Sequence, residues 1–117
     1  MNVFSSDTAT LTDEYGIRIG RWQQYAQQGL PFDAMWCVIP PDGRSAEDHH
    51  PERELQIVVS GSGTVETPAT GATRDVEVGT AMLLDPLERH ILHNRSSDEP
   101  FVVLSVYWLP KEREDAP

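Results

Sequence analysis

The stretch GRSAEDHHPERELQIVVSG, residues 43–61, joins a polar loop to an apolar strand. Two adjacent histidines, His49 and His50, stand among acidic side chains, and Glu54 opens a run rich in Leu, Ile and Val. Side chains of an extended chain alternate between its two faces, so Asp48 and His50 share one face and His49 takes the other. The pattern predicts a strand that carries imidazole and carboxylate groups where it begins and core residues farther along.

Glycine and proline break the rest of the 117-residue chain into similarly short pieces. Most pieces are rich in Val, Ile, Leu and aromatic residues, and several alternate apolar with polar positions. Sheets must bury a face and closure removes exposed edges, so the pattern predicts an all-β sandwich or barrel. A helical turn and a loop are equally compatible with residues 22–29. We predict strands at 15–22, 33–40, 54–61, 63–68, 74–79, 80–85, 89–94 and 101–108.

The size of the chain predicts one domain with one core, because 38% of its residues are hydrophobic and no linker or repeat divides it. We place this domain at residues 11–110. Residues 1–10 and the charged tail 111–117 lack an apolar period, so we expect a flexible N-terminus and a solvated C-terminus.

The formal net charge of −10 excludes some classes of partner. Binding to a phosphate backbone requires clustered Lys and Arg, so we expect no nucleic acid and no anionic membrane surface. A negative field favours a neutral or cationic small molecule. One cysteine, Cys37, cannot form an internal disulfide and suits a reducing compartment. The N-terminus resembles no signal peptide, so the expected location is the cytoplasm.

A second histidine-containing stretch, GTAMLLDPLERHILHN at residues 79–94, supplies a third imidazole. By alternation His90 shares its face with Leu92 and Asn94, opposite His93. His50, Glu54 and His90 together offer the nitrogen and oxygen donors that a divalent transition metal prefers. Core histidines with satisfied hydrogen bonds, and a solvated acidic face for Glu54, are the competing interpretations.

These two stretches resemble the paired metal-ligand motifs of the cupin superfamily. The first family motif, G-x5-H-x-H-x3,4-E-x6-G, is similar to the segment with Gly43, His50, Glu54 and Gly61. The second, G-x5-P-x-G-x2-H-x3-N, is similar to the segment with Gly79, His90 and Asn94. The resemblance covers about residues 33–108. It implies a double-stranded β-helix, or jelly-roll, barrel that binds a metal at its open end.

Three departures from the motifs leave the ligand set open. Asp48 stands where the family has its first histidine, Pro86 comes one residue late, and Leu87 replaces a glycine. The resemblance therefore implies either Asp48, His50, Glu54 and His90 as ligands, or the last three with water. His49 replaces Asp48 only if the strand is bulged.

The resemblance implies a metal-dependent enzyme that acts on a small metabolite. Zinc is the first expectation because two histidines, one glutamate and an exchangeable position form a common catalytic zinc site; Fe²⁺, Mn²⁺ and Ni²⁺ are the alternatives. Glu54 and Asp48 are the candidate catalytic carboxylates, which could move a proton. A non-enzymatic small-ligand-binding barrel is the remaining alternative, because a fold does not by itself name a function.

Part of the chain resembles a narrower group, the zinc-binding cupins that form nitrogen–nitrogen bonds. The resemblance lies in EDHHPERELQIVVSGSG, MWCVIPP and LSVYW. It implies rearrangement of an ester between an amino acid and an N-hydroxylated diamino acid into a hydrazine, on an amine-bearing substrate. A separate ester-forming enzyme is then an expected partner. An iron-dependent dioxygenase and a polyketide-type cyclase are the alternative enzymes.

Other residues outside the two motifs are candidates for substrate contact, for the outer surface or for the core. Gln56 follows Glu54 on the same face and is a candidate substrate contact, as are Trp36 and Tyr107. His49 and His93 are expected on the outer surface, and Cys37 is expected to be a small buried hydrophobe. We also expect a homodimer, because a barrel of this size gains buried area by pairing.

Overall fold

The computed structural model describes residues 1–26 and 29–110 of the chain. Its strands, numbered in chain order, are β1 (Thr12–Glu14), β2 (Ile17–Arg21), β3 (Asp33–Ile39), β4 (Arg53–Ser60), β5 (Ser62–Thr67), β6 (Ala72–Glu77), β7 (Ala81–Leu84), β8 (Ile91–His93) and β9 (Phe101–Trp108). One 3₁₀ turn, Trp22–Gln24, falls where a helical turn and a loop were equally expected, and residues 27 and 28 of that segment lie outside the described residues. The tail at 111–117 also lies outside them.

Two antiparallel sheets form the fold. The larger has the strand order β1-β2-β3-β9-β4-β7 and the smaller the order β6-β5-β8. The sheets face each other without closing into one continuous barrel, and the all-β jelly-roll prediction is confirmed. Every predicted strand is present, seven of them with shifted ends and β9 with the predicted ends, whereas β1 was not predicted.

Alternation along the strands divides core from surface. On β4 the side chains of Glu54, Gln56 and Val58 are buried between the sheets, while Leu55 and Ile57 face outward and are half-buried. The centre of the sandwich is apolar and buried. Its hydrophobic cluster comprises Ile17, Ile19, Cys37, Ile39, Val58, Val76, Leu92, Phe101 and Val103. One end of the sandwich replaces these apolar residues with polar ones.

The N-terminal segment has no regular structure, yet it packs on the domain. The ring of Phe4 lies 5.2 Å from the rings of both Trp22 and Tyr25. Asn2 donates a hydrogen bond to the carbonyl of Tyr25. The expectation of a flexible N-terminus did not include these aromatic contacts. Among the described residues, no helix has the length and apolar content that crossing a membrane requires.

Candidate functional site

The polar end of the sandwich is built by the loop before β4, which docks along β8. Ser45 donates its N–H to the carbonyl of Leu92, and its hydroxyl accepts the N–H of Leu92, both at 2.9 Å. Farther along, Asp48 and His90 exchange two backbone hydrogen bonds of 3.3 Å. Directly paired residues of antiparallel segments project to the same face, so the loop brings the first stretch beside the second.

Glu54 is the centre of the polar cluster. Its oxygen Oε1 lies 3.1 Å from Nε2 of His50 and 3.7 Å from Nε2 of His90. Glu54 is only 2% exposed and His90 only 7%, whereas His50 is half-buried. Imidazoles from two distant segments therefore meet one buried carboxylate, as the sequence analysis predicted.

Both imidazoles turn their other nitrogen toward a backbone carbonyl. Nδ1 of His50 lies 3.1 Å from the carbonyl oxygen of Glu52, and Nδ1 of His90 lies 3.5 Å from that of Glu88. A carbonyl oxygen only accepts, so each Nδ1 carries the hydrogen. In the neutral tautomer each Nε2 then presents a lone pair to the carboxylate. Such an arrangement is stable only with protons or a cation between nitrogen and oxygen.

The second oxygen of Glu54 is held by two donors. Gln56 donates through Nε2 to Oε2 at 3.1 Å, and the hydroxyl of Ser105 donates to the same oxygen. Ser105 is fully buried on β9 and was not identified from the sequence, although a serine inside FVVLSVYW marks a buried polar position. The two donors fix the carboxylate, so Oε1 remains directed at the imidazoles.

The local charges favour the protonated form of His50. Burial lowers the pKa of His50, but the charge and hydrogen bond of Glu54 and the charges of Asp48 and Glu52 outweigh burial and raise it. His50 therefore lies in a field that attracts positive charge.

The donor set offers the atom types that a divalent transition metal prefers. A tetrahedral ion with ligands at about 2.1 Å separates its ligand atoms by about 3.4 Å, and the two nitrogen–oxygen distances here bracket that value. Ligating histidines commonly donate their other N–H to a carbonyl, which fixes the ring. Within residues 1–26 and 29–110, however, no group of three or more His, Cys, Asp or Glu side chains is arranged so that it could hold a metal ion. The fit therefore rests on the two contacts through Glu54.

Backbone pairing distinguishes Asp48 from His49. Asp48 is paired with His90 and so shares its inward face, whereas His49 is exposed. In the described part of the chain, Asp48 forms no ion pair with either imidazole of the centre. Asp48 thus contributes a nearby negative charge to the site rather than a direct contact.

A cavity of about 260 Å³ opens beside His50 and Glu54. Tyr107 lines it, as the sequence predicted, and Arg21 lines it although the sequence analysis did not single it out. Arg21 lies on the inward face of β2, after Ile17 and Ile19. A charged residue at the end of an otherwise apolar face is the sequence feature that could have indicated its role. The cavity is bordered by Tyr15, Arg21, Met35, Asp48, His49, His50, Glu52, Glu54 and Tyr107.

Trp36, a predicted substrate contact, is not brought to this cavity. It lies on the outer face of β3, opposite buried Cys37, and its ring is 5.2 Å from that of Trp22. Aromatic content alone could not determine which face of the strand it takes. Gln56, also proposed as a substrate contact, is 2% exposed and contacts Glu54 instead.

The remaining polar candidates lie where they were expected. His93 is on the outer face of β8, where its Nε2 lies 2.7 Å from Oε1 of Glu66. Cys37 is a free, buried core residue, and burial raises the pKa of its thiol far above the ordinary value. In the described part of the chain, neither residue is a hydrogen-bond or ion-pair partner of Glu54.

Residues 35–107 match the family model of the cupin domain. This chain belongs to the cupin family. A solved Cupin 2 conserved barrel domain protein from Salinispora arenicola is 30% identical to this cupin, with a TM-score of 0.79 over 92% of this chain and 88% of the other. The match includes both motif stretches, and the family expectation from the sequence is confirmed.

More distant cupin structures share the fold. The polyketide cyclase RemF from Streptomyces resistomycificus is 18% identical, with a TM-score of 0.76 over 92% of this chain and 78% of that one. A predicted oxalate decarboxylase from Thermotoga maritima is 17% identical, with a TM-score of 0.73 over 92% and 99%. At these identities the likeness concerns the fold alone, so the function must be argued from the site.

Proposed function

We propose that this cupin is a metal-dependent enzyme acting on a small metabolite, with His50, Glu54 and His90 as its protein ligands. One observation carries the proposal: both Nε2 atoms face Oε1 of Glu54, while both Nδ1 atoms face backbone carbonyls. The two nitrogens and the buried carboxylate need protons or a cation between them, and one bound cation would satisfy both imidazoles and Glu54 together.

Zinc is the first candidate metal, with Fe²⁺, Mn²⁺ and Ni²⁺ as alternatives. Bound by three side chains, it would keep a position open for substrate and supply Lewis-acid polarisation of an ester or carbonyl oxygen. The protein's own groups do the rest. Ser105 and Gln56 hold Glu54 in place, and Asp48, on the inward face without a partner imidazole, is the candidate acceptor for a substrate proton.

Metal content tests the proposed ligands. We expect protein purified without chelator to carry about one equivalent of divalent metal, and His90→Ala or Glu54→Gln to lower the metal affinity by about tenfold or more. His93→Ala is the matched control, because His93 also pairs with a glutamate but lies on the outer face. Elemental analysis and metal titration give the readout. Equal metal content in His90→Ala and His93→Ala would remove the proposal.

Within this class, the sequence resemblance favours nitrogen–nitrogen bond formation. The amine of the ester's amino acid would attack the hydroxylamine nitrogen, so the nitrogen–nitrogen bond forms as the nitrogen–oxygen bond breaks. The electron pair leaves with the carboxylate oxygen and the amine proton passes to a base, so no oxidant or reductant is consumed. Mass spectrometry of the hydroxylamine ester incubated with metal-loaded protein detects the hydrazine, and unchanged ester counts against this reaction.

Two other functions compete with this reaction. Stoichiometric iron with substrate-dependent oxygen uptake would favour a dioxygenase. Ring closure of a polyketide without oxygen uptake would favour a cyclase. One fold neighbour, RemF, is named as a polyketide cyclase. A metal-free protein that binds a small molecule unchanged would indicate a non-enzymatic barrel.

A further inference from the structure

The wall of the cavity contributed by β2 and β9 carries a cationic and phenolic cluster. Arg21 donates through Nη1 to the hydroxyl of Tyr107 at 3.1 Å, and Tyr15 borders the same cavity. Among the described residues that line this cavity, Arg21 is the one permanent cation. The acidic groups Asp48 and Glu52 lie on the same cavity. Glu54 borders the cavity as well, so the guanidinium, which is ion-paired with Glu14, is the one group of this lining that attracts an anion through a permanent positive charge.

The side chain of Arg21 is held in one orientation, but one of its N–H groups lacks a strong acceptor. Glu14 accepts from Nη2 at 2.7 Å and holds the guanidinium in place. The second hydrogen bond of Nη1 goes to the thioether sulfur of Met35 at 3.8 Å. Thioether sulfur is a weak acceptor, and Met35 borders the cavity. A carboxylate oxygen entering here would replace a weak contact with a charge-assisted hydrogen bond.

Tyr107 offers a second donor at the same point. Its hydroxyl oxygen accepts from Arg21, which leaves the hydroxyl hydrogen free to donate into the cavity. A tyrosine hydroxyl carries its proton at neutral pH, so it can donate. Arginine and tyrosine thus present adjacent N–H and O–H groups, an arrangement that matches the two oxygens of a carboxylate.

Tyr15 occupies a backbone conformation that its side chain does not favour. Tyr15 and Gly16 have φ of 55° and 75° and connect β1 to β2 in a two-residue hairpin turn of type I′. This turn prefers Asn-Gly, and a bulky residue at positive φ is strained. The hairpin is fixed next to the site, since Ala46 donates to the carbonyl of Tyr15 at 2.7 Å. Strain of this kind often marks a functional side chain.

We propose that Tyr15, Arg21 and Tyr107 form a carboxylate-binding subsite that orients a carboxylate-bearing substrate toward the centre around Glu54. The inference rests on the proposed function, because that centre would bind the reacting end of the same molecule. The small cavity restricts the substrate to a small carboxylic acid. The charge of the whole chain favoured a cationic substrate, but the local guanidinium determines where a carboxylate is bound.

Matched metal-binding probes test the subsite in the full chain. The monohydroxamates of malonic, succinic and glutaric acid place a carboxylate at different distances from a metal-binding group, and their amide counterparts have the same shape without the charge. For the best-fitting length, we expect the zinc-loaded protein to bind the carboxylate about tenfold more tightly than the amide in calorimetric titrations. Equal affinities at every length would overturn the subsite.

Variants separate recognition from folding. Arg21→Gln should reduce the preference to about twofold or less, and Tyr107→Phe should reduce it partly. Tyr15→Asn should weaken the preference while the melting temperature stays equal or rises, because Asn suits the turn. A preference that persists in Arg21→Gln contradicts the proposal.

Metal content measured in parallel keeps the two proposals apart. If the protein binds no metal, succinate and succinamide replace the hydroxamates as probes of the metal-free protein. A preference for succinate that Arg21→Gln abolishes then supports the subsite although the proposed function fails. The absence of such a preference in the metal-free protein overturns the subsite as well.

Discussion

Leu87 has a backbone conformation that suits glycine. Its φ is 64°, and the family motif has a glycine at this position. Its N–H donates to the carbonyl of His50 at 2.7 Å, so the strained residue ties the second stretch to the first. The side chain of Leu87 is exposed and contributes little packing. The departure from the motif therefore has a cost in stability and leaves this contact between the two stretches in place.

We predict that Leu87→Gly is more stable than Leu87→Ala by about 1 kcal/mol, because glycine relieves the strain of positive φ and alanine does not. Urea unfolding of both variants measures the difference. Equal stability would show that the backbone relaxes to accept a side chain. The alanine variant controls for loss of the exposed leucine.

At the scale of the strands, the glycine between β4 and β5 is required by close packing. Gly61 has φ of 74°, and a Cβ there would lie 2.5 Å from the carbonyl oxygen of Pro100. The β4–β5 turn therefore lies directly against the start of β9. This explains in physical terms why the first motif ends in glycine.

Gly61→Ala should lower the free energy of unfolding by about 2 to 4 kcal/mol, since strain at positive φ adds to a backbone clash. Gly71→Ala is the control. Its φ is 71° and no atom lies within 4 Å of its added Cβ, so we expect a loss of only about 1 kcal/mol. Chemical unfolding provides the measurement, and equal losses would contradict the packing argument.

At the scale of the whole molecule, the outer face of the larger sheet is apolar around β7. No described residue covers this part of the face. Leu83 is 60% exposed and is paired with Leu55, which in turn is paired with Val106. The centre of this face carries no charge, whereas the chain as a whole has a net charge of −10. Two copies repel each other electrostatically, so this uncharged face is where they can approach at the lowest cost.

We therefore predict a homodimer that buries Leu83 against a second copy. Leu83→Glu should give a monomer in light scattering coupled to size exclusion. Val3→Glu is the control, because it adds the same charge at an exposed apolar residue of the N-terminal segment and should leave the dimer intact. A monomeric parent protein at about 100 μM, well above the Kd of stable dimers, would contradict the prediction.

The sequence by itself determined eight of the nine described strands, the two motif stretches and the three residues that meet at the centre. Period-two alternation places His50 and Glu54 on one face of the first stretch and His90 on the same face as Leu92 in the second, and this local property is readable without coordinates. Chain order could not determine which segments become neighbours. Ser105 reaches Glu54 from 51 residues away because β9 pairs with β4.

Only the tertiary structure determined the other walls of the site. Arg21 on β2 and Tyr107 on β9 are brought together by β3, which pairs with both strands. Trp36, equally aromatic, was turned to the outer face by the register of the same strand. Alternation says that neighbours point apart, but only the packing of two sheets decides which face is inside. A single sequence thus contained the three residues of the centre, and the pairing of distant strands decided what surrounds them.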